Sequence, residues 1–374
     1  MKPIYLDNAA STPVKSEVLA KFVEVAETAY ANPSSMHSAG IEARNVIWDT
    51  QDILSEKLGC SSDEIFFTTG ATMSNNLLIQ GVMRKQPETM FVTSNVEHND
   101  IMELYDWLPY SKAMIGVDKN GVIDLGVLEA TLITCEMNNR PFLVSIQMAN
   151  SETGIIQPIK QIGEIVHKYG GYLHTDATQY IPYYPIDVHY FGIDALSMSG
   201  QKIGGIKGSG ILYANESCQK HMKPIIFGEQ GVIGGTPATP LIASLGKAFE
   251  LLEYGNEDME LKRDTLLNIL TCSLGGILVG TPNNRLPNNI YIRFPGVNGL
   301  TLLNLLNDQG IQIGTGSACS TDSDRPSHVA MAYGLSAKEA FECVRFTLSE
   351  NTSYKEIFEV GNVLKGILKL LKEE

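Results

Sequence analysis

The chain has 374 residues, of which 44% are hydrophobic and 19% charged, and carries a formal net charge of −14. That length suits two or three domains of roughly 100–200 residues, with cores large enough to need no disulfide or metal staple. So acidic a surface repels phosphate backbones and argues against a nucleic-acid partner; no run approaches the roughly 20 apolar residues of a membrane helix.

The N-terminus, MKPIYLDNAAS, lacks the apolar centre of a signal peptide. Six cysteines, at positions 60, 135, 218, 272, 319 and 343, are scattered with no C-x-x-C pair and no zinc spacing. They read as reduced thiols, so the expected location is cytoplasmic.

In chain order, short runs rich in branched and aromatic residues predict strands at 65–69, 90–93, 143–147, 172–175, 195–197 and 210–213. Helical patterns lie between them. In 159–169 the residues Ile159, Ile162, Ile165 and Val166 share one face. This alternation predicts an α/β domain with a mostly parallel sheet. Beyond about residue 245 the pattern changes. Helices are expected at 248–254, 259–270, 300–308, 337–343 and 354–371, and strands at 289–294 and 312–313, which together form a smaller α+β domain. A helix near 240–254 is expected to join the two.

Three segments carry chemistry. Lys202 follows a predicted strand and precedes a glycine-rich turn, Gly204-Gly205 and Gly208-Ser209-Gly210. A lysine there can reach a ligand in the crevice beyond the sheet, where partial desolvation makes its amine nucleophilic. Alone it reads more readily as a loop lysine. Asp176 ends the apolar strand before Ala177-Thr178-Gln179; a carboxylate there can pair with a protonated pyridine nitrogen or simply cap a helix. Gly70-Ala71-Thr72 opens a helix whose N–H groups and Thr72 hydroxyl suit a phosphate.

Taken together, these segments resemble the NifS-like cysteine desulfurases, of the class V aminotransferase group of fold-type I pyridoxal-phosphate (PLP) enzymes. The resemblance runs from residue 4 to about 371. Its motifs are YLDNAASTP (5–13), NPSSMHSAG (32–40), FTTGATMSNN (67–76), EHND (97–100), NSETG (150–154), HTDATQ (174–179), SMSGQK (197–202), GT (235–236), GTGSACS (314–320) and VRFTLS (344–349).

The resemblance implies a large PLP-binding domain over 15–245 with a mostly parallel seven-stranded sheet. It also implies a small domain of 1–14 and 246–374 that carries Arg345 and the Cys319 loop. Lys202 would hold PLP as a Schiff base and Asp176 its ring nitrogen. His98 would stack on the ring and shuttle protons. Gln179 would bind the ring hydroxyl, and Ala71, Thr72 and Ser199 the phosphate. Thr236 would reach the phosphate of a partner subunit, which implies a homodimer. Arg345 would clamp the substrate carboxylate, and Ser151, Gln201 and Asn150 belong to the cofactor and substrate contacts. Cys319, on a loop of small residues suited to movement, would take sulfur from L-cysteine as a persulfide and pass it to an acceptor protein, in iron–sulfur cluster assembly or another pathway.

Four positions depart from the family pattern. Gln201 stands where a histidine is usual, Ser151 where the second asparagine of Asn-Asn-Glu is usual, and Gln230 and Ile233 where arginines are usual. Two other readings stay open on the sequence: a selenocysteine lyase or related C–S lyase using the same Lys202 and Arg345, and a non-catalytic sulfur-carrier scaffold.

Overall fold

The structure, a computed structural model, describes residues 3–228, 232–316 and 325–373, with only the backbone of 372 and 373. Among the described residues there are twelve strands: β1 (Ile4–Leu6), β2 (Ile65–Thr68), β3 (Met90–Ser94), β4 (Lys112–Ile115), β5 (Phe142–Ser145), β6 (Tyr172–Asp176), β7 (Ala195–Ser199), β8 (Gly210–Ala214), β9 (Ile277–Leu278), β10 (Asn289–Arg293), β11 (Ile311–Ile313) and β12 (Cys343–Thr347).

Seven of them form the central sheet, in the order β2-β8-β7-β6-β5-β3-β4. Neighbours pair parallel except at β8, which is antiparallel to both β2 and β7. Two reversals cancel, so β2 points the same way as β7, β6, β5 and β3. The expected mostly parallel seven-stranded sheet is present. β5 and β8 are buried at every residue, as strands covered on both faces must be. Helices close the two faces. In helix Ile159–Lys168, Ile159, Ile162 and Val166 are buried and Ile165 packs partly against the same core.

A second core draws on Ile4 and Leu6 together with residues from Leu266 to Leu368. There β1 pairs parallel with β11, while β12, β10 and β9 form an antiparallel sheet. The chain's first strand is thus built into the same unit as its last third. From β1 the backbone crosses directly to the central sheet. Asn8 donates to the Thr347 carbonyl at 2.8 Å, and the Thr12 N–H reaches the Gln201 carbonyl at 2.9 Å.

Some element bounds differ from the sequence reading. The helix expected at 337–343 ends early, as Ala337–Ala340, and the chain enters β12 at Cys343. A capping box between Ser336 and Glu339 starts that helix, but burial of all five residues of β12 against β10 takes over three residues later. The helix expected at 248–254 spans Thr239–Glu250, close to the alternative joining helix, and packs on helices Ser16–Thr28 and Ser38–Leu58. Among the described residues no helix is long and apolar enough to cross a membrane.

Candidate active site

Because β2, β3, β5, β6 and β7 run in the same direction, the loops after them open on one edge of the sheet, where α/β folds bind ligands. Thr72 follows β2, His98 follows β3, Ser151 follows β5, Asp176 ends β6, and Lys202 lies in the single 3-10 turn Gly200–Lys202 after β7. All five line one cavity, joined by Ala71, Gln179, Ser199, Gln201 and, from β12, Arg345. Five stretches of sequence spread over 131 positions converge for a topological reason.

Lys202 Nζ donates to the carbonyls of Ala9 at 2.7 Å and Ala10 at 2.5 Å. Gln179 Nε2 donates to the same Ala9 carbonyl at 3.0 Å. The crossing segment after β1 therefore forms part of the wall and fixes the amine's position.

Asp176 is buried, with neutral donors on both oxygens: Asn75 Nδ2 at 3.0 Å and the Thr178 N–H at 3.0 Å. Burial, aided by the negative charge of Asp100, raises its pKa against those hydrogen bonds. Asn75 also donates to Asp100 at 3.1 Å, so one amide bridges two carboxylates. Burial pushes Asp100 the same way, but the hydrogen bond and charge of His98, with help from Thr72 and Asn75, outweigh it and hold Asp100 below the usual carboxylate range. His98 Nδ1 lies 2.8 Å from Asp100 Oδ1.

At the start of helix Ala71–Lys85, Gly70 has φ 143°, which L side chains rarely adopt. That turn aims the Ala71 N–H at Ser199 Oγ, 2.8 Å away. A second concavity adjoins, lined by Gly70, Ala71, Thr72, Ser199 and Gln201 among others. Backbone N–H groups of a 15-residue helix beside two hydroxyls fit an anion.

Arg345 is 2% exposed. Its Nη2 pairs with Asp7 Oδ1 at 2.7 Å and its Nη1 donates to the Ser151 carbonyl at 2.9 Å, while its buried Nε finds no acceptor among the described residues. Gly314 leaves room for the pair, since a Cβ there would sit 2.7 Å from Asp7 Oδ1 and 2.9 Å from Arg345 Nη2.

Two expected site residues lie elsewhere. Asn150 does not line the cavity. Its side chain is spent on the local turn, accepting from the N–H groups of Glu152 and Thr153 and donating to the Val96 carbonyl at 2.9 Å. Thr236 is exposed and lines neither concavity. Cys319 and Gln230 fall outside the described residues, but Gly316 and His328, on either side of 317–324, both line the cavity.

Several groups that shape the cavity carried no assignment from sequence. Glu97 is buried and accepts from Gln147 N–H at 3.1 and 2.9 Å and from Ser94 Oγ; burial, over those opposing bonds, pushes it up to about 8. Glu152 is buried, with its pKa raised by that burial against the pull of Ser327, His328 and Arg345, and it accepts from Ser327 Oγ at 2.5 Å. Asp7, Glu97, Asp100 and Glu152 all stand inside quoted motifs, which was the available signal.

A lysine after one parallel strand, a buried carboxylate ending its neighbour and a helix N-terminus beside them form, in an α/β fold, a cavity whose residues fit a phosphorylated pyridine aldehyde. The aminotransferase class-V family matches residues 4–360. Cysteine desulfurase IscS of Dictyoglomus turgidum is 35% identical, over 99% of this chain and 96% of the relative. The mitochondrial cysteine desulfurase of Saccharomyces cerevisiae is 34% identical, over the whole chain and 76% of the relative. Among solved structures, a NifS-like protein superposes with TM-score 0.90 at 30% identity, covering 98% of this chain and all of that one. A structure described as SspA in complex with cysteine superposes with TM-score 0.81 at 31% identity, covering 92% and 98%. The chain belongs to the class-V aminotransferase family, among the cysteine desulfurases, a PLP-dependent group.

Proposed function

We propose that this chain binds PLP on Lys202, converts L-cysteine to L-alanine and carries the released sulfur as a persulfide on Cys319 to an acceptor protein. The observation that carries this reading is the Asp176 carboxylate ending β6 and the Lys202 amine in the turn after the adjacent β7, in one cavity with the Arg345 guanidinium.

The residues fit the cofactor. Asp176 is a buried carboxylate with neutral donors, so a cationic ring nitrogen would offset the cost of its burial. Ala71, Thr72 and Ser199 supply donors for a phosphate, and Gln179 a donor for the ring hydroxyl. When bound, PLP supplies an electron sink for negative charge developed on the substrate.

The protein's own groups then have distinct tasks. Arg345 orients L-cysteine through its carboxylate, with Nε as a donor that wants an acceptor and Asp7 holding the guanidinium in plane. His98 accepts and returns protons beside the ring. The Cys319 thiolate attacks the substrate sulfur. An S–S bond forms, the carbon–sulfur bond breaks, and the carbon takes a proton. The balance is L-cysteine plus Cys319 thiol giving L-alanine plus Cys319 persulfide, with no external oxidant.

Gln201 and Ser151 contribute to the walls, and Asn150 acts through the turn it closes. Exposed Thr236 would serve the partner's phosphate in a homodimer. A cofactor unit of 15–245 and a second unit of 1–14 with 246–374 complete the reading. A cytoplasmic setting suits the five described cysteines, all unbridged.

The test is alanine and sulfide release from L-cysteine under reductant, with selenocysteine alongside. Equal yields from the wild type are expected. Cys319→Ala should keep the yellow cofactor and lose turnover on L-cysteine. Cofactor-loaded protein that yields no alanine, or a fully active Cys319→Ala, would overturn the proposal.

A further inference from the structure

Asp100, paired with His98 in the cavity wall, has no part in the scheme above. Asp100 Oδ1 sits 2.8 Å from His98 Nδ1, and the carboxylate is itself fixed by Asn75 Nδ2 at 3.1 Å. His98 caps helix Asn99–Trp107, and its Nδ1 also lies 3.4 Å from the Asp100 N–H. One nitrogen cannot donate to the carboxylate and accept from the amide at once. The shorter contact, to a full charge, is the stronger. It puts the ring proton on Nδ1 and leaves Nε2 as the nitrogen able to take a proton.

We propose that Asp100 is a positioning residue that locks His98 in the Nδ1–H tautomer, making a His–Asp pair that sets the proton chemistry of the cavity. The proposal rests on the reading that His98 moves protons there. Asp100 lies nearer to His98 than to a direct role of its own: its carboxylate is engaged by His98 and Asn75.

Other charged groups share the cavity: Glu97, Glu152, Asp176, Lys202, His328 and Arg345. Glu97 turns its carboxylate to Ser94 and Gln147, Asp176 to Asn75 and Thr178, and Arg345 to Asp7. His328 Nε2 meets the Glu97 carbonyl at 2.9 Å, and Lys202 meets Ala9 and Ala10. Glu152 accepts from Ser327 Oγ, and the carboxylate 2.8 Å from His98 Nδ1 is that of Asp100.

Imidazole nitrogen-15 NMR of the holoenzyme tests this, with His98→Gln used to assign the resonances. The neutral ring should show the proton on Nδ1. In Asp100→Ala the tautomer should become mixed. In Asp100→Asn, which keeps shape but not charge, the acid limb of the kcat–pH profile should move down by about one unit, with KM for L-cysteine within about threefold because Arg345 is untouched. An Nε2–H tautomer in the wild type, or one unchanged in Asp100→Ala, overturns the proposal. The predicted tautomer with an unmoved pH profile upholds the pair and sinks the proton role of His98 instead.

Discussion

The two walls of the cavity are built differently. One stands on the central sheet, where Asp176 and Lys202 follow directly from β6 and β7, strands buried nearly throughout. The other belongs to the second core, where Arg345 comes from β12 and Gly316 and Ser327 flank the segment with Cys319. On the sheet wall, Asp176 is held by Asn75 of the same unit, while Lys202 and Gln179 share the Ala9 carbonyl of the crossing segment. On the second wall, the contacts cross between units: Arg345 to Ser151 at 2.9 Å and Ser327 to Glu152 at 2.5 Å. On the proposed reading, the groups that hold the cofactor stand on the sheet, and the groups that orient the substrate and receive the sulfur stand on the second wall.

The comparison breaks first at Lys202. Lys202→Ala should cut alanine formation by about 10³-fold or more, while urea unfolding stays near wild type, as both acceptors of the amine are backbone carbonyls. Arg345→Lys tests the opposite wall. Losing the planar fork should lower kcat/KM for L-cysteine by about 10²-fold, with cofactor binding, read by absorbance, unchanged. Equal loss of cofactor would erase the division of labour between the walls.

Glu97 sharpens the comparison through pH. Burial lifts it from 4.5 to about 8. A carboxyl group raised in the folded state stabilises fully below its unfolded pKa, and that contribution is lost as pH rises through the folded value. Its share of stability is therefore present near pH 4.5 and gone above pH 8. Glu97→Gln should flatten the fall in urea midpoint across that window. Ser327→Ala gives the smallest effect. It removes a helix cap and the Glu152 bond, at about 1–2 kcal/mol in thermal unfolding.

Much of this was legible because the sheet announces itself locally. β5 and β8 are short apolar runs with glycine or proline nearby, and six strands of the large sheet were placed to within about two residues. β4 was missed because Lys112-Ala113-Met114-Ile115 looks neither alternating nor branched; it is the sheet's edge and only half-buried. β1 and β9, with three and two residues, are too short for periodicity to register. β12 hid behind the charge of Arg345, which pairs with Asp7 from the other end of the chain. In the site, Lys202 and Asp176 were readable from the three segments taken together and the family resemblance, not from either position alone. Glu97 and Glu152 were not, because burial sets their protonation and depends on which elements pack over them; Asp100 was not, because its state is set by contacts with His98 and with Asn75 of another helix. Asn150 shows the converse: nothing in the motif indicates that its side chain closes a turn instead of facing the cavity.

Borohydride reduction followed by peptide mass mapping reaches the central claim most directly. Protein purified with its cofactor should lose its yellow colour on reduction and retain one pyridoxyl phosphate, on the peptide that contains Lys202. A label on another lysine, such as Lys207, or a protein that takes up no cofactor when supplied with it, would contradict the account.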